Sequence, residues 1–266
     1  MMNISVAFSP CPNDVFIFYR FIENKLGVQI EFEPHIHDIS DLNIFARQKK
    51  FDVTKLSFPA WFRVKSNYTL LKRGAAIGFG CGPLVVAKKN IKTSSGKLRI
   101  AIPGIDTTAE ALFRLWHRTE IEPIIVSYDC VADKVISGEA DMGILIHEER
   151  FLFKEMGLIK IIDLGEWWEE ETGLPVPLAG IFADKKFSKE TIEKIEDTIL
   201  HSLESAKSSP KAVMKIAKKY SVSIDEKILK LHIETFVTGE SFEISSSGLA
   251  AIEKLGELMQ ARGLLK

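Results

Sequence analysis

The histidine of Ile144-Leu145-Ile146-His147-Glu148-Glu149 directly follows an apolar run, Asp141–Ile146, that reads as a buried strand. A histidine so placed sits at the edge of a cleft. Its ordinary pKa near neutrality lets it accept a proton at cellular pH. Glu148 or Glu149 can orient the ring, and a purely structural role fits the same spacing. Position 151 is phenylalanine, so HExxH is absent and no zinc site is indicated.

Three further polar clusters end apolar runs. Ser9-Pro10-Cys11-Pro12-Asn13-Asp14 lies between a strand and a helix. It reads either as a proline-stiffened turn capped by Asn13 or Asp14, or as an anion site made of helix N–H groups. Cys11, at that helix start, is a minor candidate nucleophile whose thiolate the helix would favour. Thr54, Lys55 and Ser57 close the run Asp52–Leu56, bringing one cation and a hydroxyl donor, or else forming a solvated strand end. Pro103-Gly104-Ile105-Asp106-Thr107-Thr108-Ala109 joins a strand to a helix; Thr107 or Thr108 caps that helix, binds a carboxylate or phosphate there, or both. The run lacks the lysine of a P-loop. Trp167 and Trp168 either wall an aromatic ligand or pack in the core. His35, His37, His117, His201 and His232 show no metal-ligand spacing.

The elements that must position these residues follow an α/β order. Ile4–Phe8, Val28–Glu33 and Asp52–Leu56 read as strands, separated by helical runs Val15–Glu23 and Ile39–Gln48, the latter capped near Ser40 or Asp41. That alternation implies a mostly parallel sheet covered by helices. Four glycines between Gly74 and Gly82 mark a crossing into a second unit. There Leu84–Ala87, Leu98–Ile102, Ile124–Ser127 and Asp141–Ile146 are strands, with helices at Ala109–Arg118 and Ala132–Ser137. The Pro/Gly segment Gly173–Gly180 reads as the return crossing, followed by a strand at Ile181–Ala183 and four helices at about Lys189–Lys207, Pro210–Tyr220, Asp225–Thr235 and Ser247–Arg262. The expected domains are a discontinuous one of residues 1–83 and 181–266, and a second of residues 84–180. Clusters after strands then converge on the cleft between them.

Composition limits the function classes. With 35 basic and 36 acidic residues in 266, the chain is nearly neutral. It lacks the basic surplus that sequence-independent nucleic-acid binding requires. No apolar stretch is long enough to cross a bilayer and no signal peptide is visible, so neither membrane insertion nor export is expected. Three widely spaced cysteines, Cys11, Cys81 and Cys130, fit reduced thiols in the cytoplasm.

SPCPNDVFIF (residues 9–18), DVTKLS (52–57), GFGCGPLVV (78–86), IPGIDTTA (102–109), GILIHEERF (143–151) and DLGEWWEEETGLPVPLAGI (163–181) together resemble the 1,4-dihydroxy-6-naphthoate synthases of the futalosine route to menaquinone. The resemblance runs in order over about residues 4–184. It implies a type II periplasmic-binding-protein-like fold of two α/β domains around an inter-domain cleft. It also implies a cytoplasmic lyase that converts cyclic dehypoxanthine futalosine, a small anionic substrate, to 1,4-dihydroxy-6-naphthoate with no cofactor and no metal. On the family's pattern His147 is the proton acceptor, and Lys55, Leu56, Ser57, Thr107 and Thr108 contact substrate. The sequence departs from the family at Pro59 and in Phe236–Gly248. The alternatives are chorismate dehydratase of the same pathway, and a non-catalytic solute-binding protein.

Overall fold

The computed structural model describes residues 2–24, 26, 30–88, 97–221 and 225–265. The first part of the chain forms β1 (Asn3–Phe8), α1 (Pro12–Ile17), α2 (Tyr19–Ile22), β2 (Glu31–Ile36), α3 (Ile39–Arg47), β3 (Val53–Ser57), α4 (Phe58–Val64), β4 (Tyr68–Leu70) and β5 (Ala76–Gly78). The middle adds β6 (Leu84–Lys88), β7 (Leu98–Ile102), α5 (Thr108–Trp116), β8 (Ile121–Ile125), α6 (Val131–Ser137), β9 (Met142–Leu145), α7 (Glu149–Leu152), β10 (Leu158–Asp163) and α8 (Leu164–Thr172). The chain returns through β11 (Val176–Asp184) and ends in α9 (Lys189–Ser208), α10 (Pro210–Tyr220), α11 (Glu226–Phe236), α12 (Gly239–Phe242) and α13 (Ser246–Ala261).

These strands make two sheets. One has the order β2-β1-β3-β11-β4, with β5 also paired to β11; the other has the order β10-β6-β9-β7-β8. The parallel pairs β1–β2, β1–β3, β7–β8 and β7–β9 are those expected of the α/β alternation, and the returning β11 runs antiparallel to β3. Every residue of β3 is buried, which is why Val53–Ser57 shows no alternation of polarity. Phe8, Phe18, Phe21 and Phe32 pack with Ile195, Ile199 and Leu203 of α9 on one side of the first sheet. The other side merges with the second domain: Leu56, Phe58, Ile77 and Phe182 belong to the same apolar cluster as Val85, Ile100, Leu112 and Ile144. Among the described residues no helix is long and apolar enough to cross a membrane.

Several elements differ from the sequence reading. The expected boundary at residue 181 falls inside β11, whose residues 176–180 already pair with β5 and β3 of the first sheet. The strand expected at Ile124–Ser127 begins earlier, at Ile121, and carries Pro123; β8 is an edge strand, where a missing N–H is tolerated. Residues 27–29 of the strand expected at Val28–Glu33 lie outside the described residues, and β2 starts at Glu31. The stretch after Asp163, to which the sequence reading gave no element, is the helix α8. Asp163 caps it by accepting from the Gly165 and Glu166 amides at 2.8 and 3.4 Å, and Gly173 ends it in the left-handed conformation. Neither Asn13 nor Asp14 caps α1; the cap position is Cys11, with no side-chain hydrogen bond to the helix. Likewise α3 is capped at Asp38 rather than Ser40 or Asp41, again without a side-chain bond.

The outgoing crossing is held against the start of α8. Asp163 Oδ1 accepts from the Gly82 amide at 2.8 Å, and Arg150 bridges the Gly82 carbonyl (3.0 Å) and Asp163 Oδ2 (2.5 Å). The backbones meet so closely that a Cβ on Gly165 would lie 2.2 Å from the Cys81 carbonyl carbon. Replacing Gly165 by alanine should therefore overpack the crossing and cost roughly 1–3 kcal/mol. At Gly239 a Cβ meets nothing within 4 Å, so Gly239→Ala should leave stability nearly unchanged. Urea midpoints of the two variants check this contrast; equal midpoints would refute it.

Candidate active site

The carboxyl ends of β1, β3 and β9, the start of α5 and the inner face of β11 surround a cavity of about 100 Å³. Ser9, Asn13, Asp14, Lys55, Ser57, Thr107, Thr108 and His147 all line it, so the clusters read from sequence do converge. Leu56 does not join them. Its neighbours Lys55 and Ser57 face the cavity, and the pleat of β3 turns Leu56 into the core, where it is fully buried.

The Ser9–Asp14 turn is built around a carboxylate. Asp14 accepts from the Ser9 hydroxyl (2.6 Å), the Ser9 amide (3.2 Å), Asn13 Nδ2 (3.1 Å) and Lys55 Nζ (2.5 Å). Both Asp14 and Lys55 have side chains only 2% exposed, so the pair is a buried salt bridge. The strand-end cation is thus neutralised in place rather than solvated. On the neighbouring residue of β3's inner face, Ser57 Oγ accepts from Asn43 Nδ2 at 3.2 Å, and the Ser57 amide donates to Asn43 Oδ1 at 3.1 Å. That leaves the Ser57 hydroxyl proton for a ligand.

The hydroxyls of the threonine pair already have protein partners. Thr107 caps α5, accepting from the Glu110 amide at 3.2 Å while donating to the Gly104 carbonyl at 3.0 Å. Thr108 donates to the Leu178 carbonyl of β11 at 2.5 Å, a contact between the domains. With the Glu110 amide taken by the Thr107 cap, what α5 offers an anion is the amides of Thr108 and Ala109. The loop before it is latched to the first domain as well. Asp106, with positive φ, receives Arg63 Nε at 2.7 Å and pairs with Arg47, and its carbonyl accepts from Asn43 at 3.4 Å.

His147 stands past the end of β9 with φ 53°, a left-handed backbone that is strained for most side chains though histidine is among the more tolerant. Cys11 Sγ lies 3.1 Å from Nδ1 and 3.3 Å from Nε2, and the Tyr128 ring meets the imidazole edge-on at 4.8 Å between centroids. Burial pushes the imidazole below its ordinary value of 6.5; the charges of Glu148, Asp38 and Asp14 oppose that, and Lys55 adds to it. The ring is therefore neutral, able to accept a proton, and surrounded by carboxylates that favour the resulting cation. Burial, with Asp14 next, raises the Cys11 thiol well above its ordinary range, so the thiolate nucleophile considered from sequence does not form at neutral pH.

Among the cavity residues that the sequence did not single out for the site are Arg150, His232 and Phe236. Arg150 lies on α7, three residues after His147; His232 and Phe236 come from α11, far along the chain. Only the i, i+4 spacing of His232 and Phe236 hinted that they share a helix face. Trp168 is fully buried, its indole donating to the Pro175 carbonyl at 3.0 Å, and Trp167 packs partly buried on the same core, so neither walls the cavity. Among the described residues no group of three or more His, Cys, Asp or Glu is arranged to hold a metal ion.

The buried pair gives a direct test. Lys55→Met strands the Asp14 carboxylate and should cost roughly 3–5 kcal/mol. Adding Asp14→Asn to it should recover part of the loss. Chemical denaturation of the single and double variants measures both, and strictly additive losses would contradict the coupling.

A family described as menaquinone biosynthesis matches residues 4–261, well past the 184 reached by motif resemblance. A 1,4-dihydroxy-6-naphthoate synthase of Thermus thermophilus is 35% identical over 99% of this chain and 96% of its own length. The structure of protein AF1704 from Archaeoglobus fulgidus superposes with a TM-score of 0.93 at 34% identity, covering 98% of each chain. The periplasmic aliphatic sulphonate-binding protein SsuA of Escherichia coli shares the fold at a TM-score of 0.69, with 7% identity over all of this chain and 89% of that one. The chain therefore belongs to the menaquinone-biosynthesis family of the 1,4-dihydroxy-6-naphthoate synthases, enzymes with the two-domain periplasmic-binding-protein fold.

Proposed function

We propose that this enzyme is a cytoplasmic lyase that converts cyclic dehypoxanthine futalosine to 1,4-dihydroxy-6-naphthoate, with His147 as general base. The observation that carries the reading is His147 itself: a neutral, half-buried imidazole on a strained backbone, inside the cavity where both domains meet. The substrate's aromatic carboxylate is assigned to the α5 amides and the Ser57 hydroxyl. No metal or organic cofactor is needed, because formation of an aromatic product drives the elimination. The enzyme removes one proton and holds the fragments aligned in a water-excluded site.

The cavity of about 100 Å³ is smaller than the roughly 300–1,000 Å³ of pockets that hold drug-sized ligands. Entry then requires the Thr108–Leu178 and Asp106–arginine contacts to part and to re-form over the bound substrate.

Mass spectrometry after incubation with cyclic dehypoxanthine futalosine tests the reaction, with chorismate as the parallel substrate. Appearance of the naphthoate supports the proposal; dehydration of chorismate alone would replace it. His147→Asn should lower turnover by roughly 10²–10⁴-fold while leaving the dissociation constant nearly unchanged. A folded variant with wild-type turnover removes His147 from the base role.

The pH profile has a definite sign. His147 must be neutral to act, and its pKa lies below the ordinary 6.5, so activity should be on its plateau at pH 7 and fall only as pH drops below 6.5. A half-maximal point above 6.5 in kcat/KM would contradict this assignment.

A further inference from the structure

His232 lies on α11, outside every motif that carries the family resemblance, yet it lines the same cavity as His147. It is 1% exposed, and its ring runs nearly parallel to that of His147, with centroids 6.1 Å apart and planes at 15°. Phe151 and Phe236 close around it at 6.4 and 4.9 Å between centroids. Within the described residues its Nδ1 is sealed from solvent without a hydrogen-bond partner, and the nearby Glu148 Oε2 is 3.8 Å away. The other ring nitrogen, Nε2, is not sealed from solvent and makes no hydrogen bond within the described residues, so it is the polar atom this cavity-lining ring has open to a ligand, which phenylalanine would lack.

We propose that His232 is a second substrate-contacting imidazole of this site, with Nε2 accepting a hydrogen bond from a ligand hydroxyl. The Glu148 carboxylate on the Nδ1 side favours the tautomer with its proton on Nδ1, which leaves the Nε2 lone pair as the acceptor. The ring does not compete with His147 for the proton. Burial, the His147 charge, Arg150 and Lys55 all hold it well below its ordinary value. The two histidines thus divide the work: His147 titrates, and His232 reads a hydroxyl while staying neutral. This assignment rests on the proposed reaction for its substrate, a polyhydroxylated ring compound, but its atomic content is independent of turnover.

Two measurements test it. Long-range ¹⁵N–¹H spectra of the imidazole rings of the wild-type protein, assigned by loss of one ring in His232→Gln, should show His232 as the Nδ1–H tautomer. An Nε2–H tautomer overturns the proposal whether or not the protein is active. In steady-state assays with cyclic dehypoxanthine futalosine, His232→Phe should raise KM about tenfold, the equivalent of one hydrogen bond. His232→Gln, whose amide oxygen reaches the Nε2 position, should stay within about threefold of wild type on the same scale. The acid limb of the pH profile should be the same in all three proteins. An unchanged KM in the phenylalanine variant, no rescue by glutamine, or a collapse of kcat with a displaced acid limb would each overturn the assignment. A wild-type protein that shows the expected tautomer but no turnover would instead overturn the proposed reaction alone.

Discussion

Lys55 carries its charge into the interior on the middle strand of the first sheet, and Asp14 meets it there with a carboxylate equally withdrawn from water. Each ion alone would cost several kcal/mol to bury. The pair is tolerable because Asp14 accepts from Ser9 and Asn13 as well, so that its oxygens are saturated. This bond fastens the turn after β1 to the end of β3. The fastened turn carries Cys11, and the Cys11 sulfur rests against the His147 ring of the other domain. The His147 ring is thus linked, through that turn and the Cys11 contact, to the Asp14–Lys55 ion pair.

The contacts between the domains show a similar economy of parts. Asn43 holds the Ser57 side chain and amide in the first domain and reaches the Asp106 carbonyl of the second. Asp106 in turn collects two arginines from the first domain. The loop that ends in Thr107 and Thr108 is thus set by charges that lie beside the cavity, not within it. The threonine hydroxyls are taken up in capping α5 and in touching β11.

Much of this was legible in the sequence where one strand end meets one polar cluster. The apolar run before His147, the buried run before Lys55, and the Pro-Gly turn before Thr107 each announce a strand with chemistry at its carboxyl end, and the α/β order sends those ends to one cleft. What stayed hidden depended on distance along the chain. The Asp14–Lys55 bond spans 41 residues, and nothing local distinguishes Asp14 from a helix cap. His232 sits on an amphipathic helix like any other, and only the packing of α11 brings it to the cavity. Cys11 at a helix start looks reactive until burial and Asp14 are seen to keep it protonated. Helix α8 was obscured by its glycine and tryptophans, although Asp163 and Gly173 bracket it with ordinary capping chemistry.

The place of β11 also has a meaning in time. It lies between β3 and β4 in the first sheet, and it receives β5 as well, yet it is made after all five strands of the second sheet. A ribosome delivering this chain releases β1 through β5 as a sheet with a missing centre, and the segment 84–163 can complete its pairing first. The amino-terminal sheet therefore cannot be completed before the second domain has been made. Until Val176–Asp184 arrives, the half of the site that holds Lys55 has no neighbour along its inner edge. The nascent chain must keep that edge from other strands for the length of one domain's synthesis.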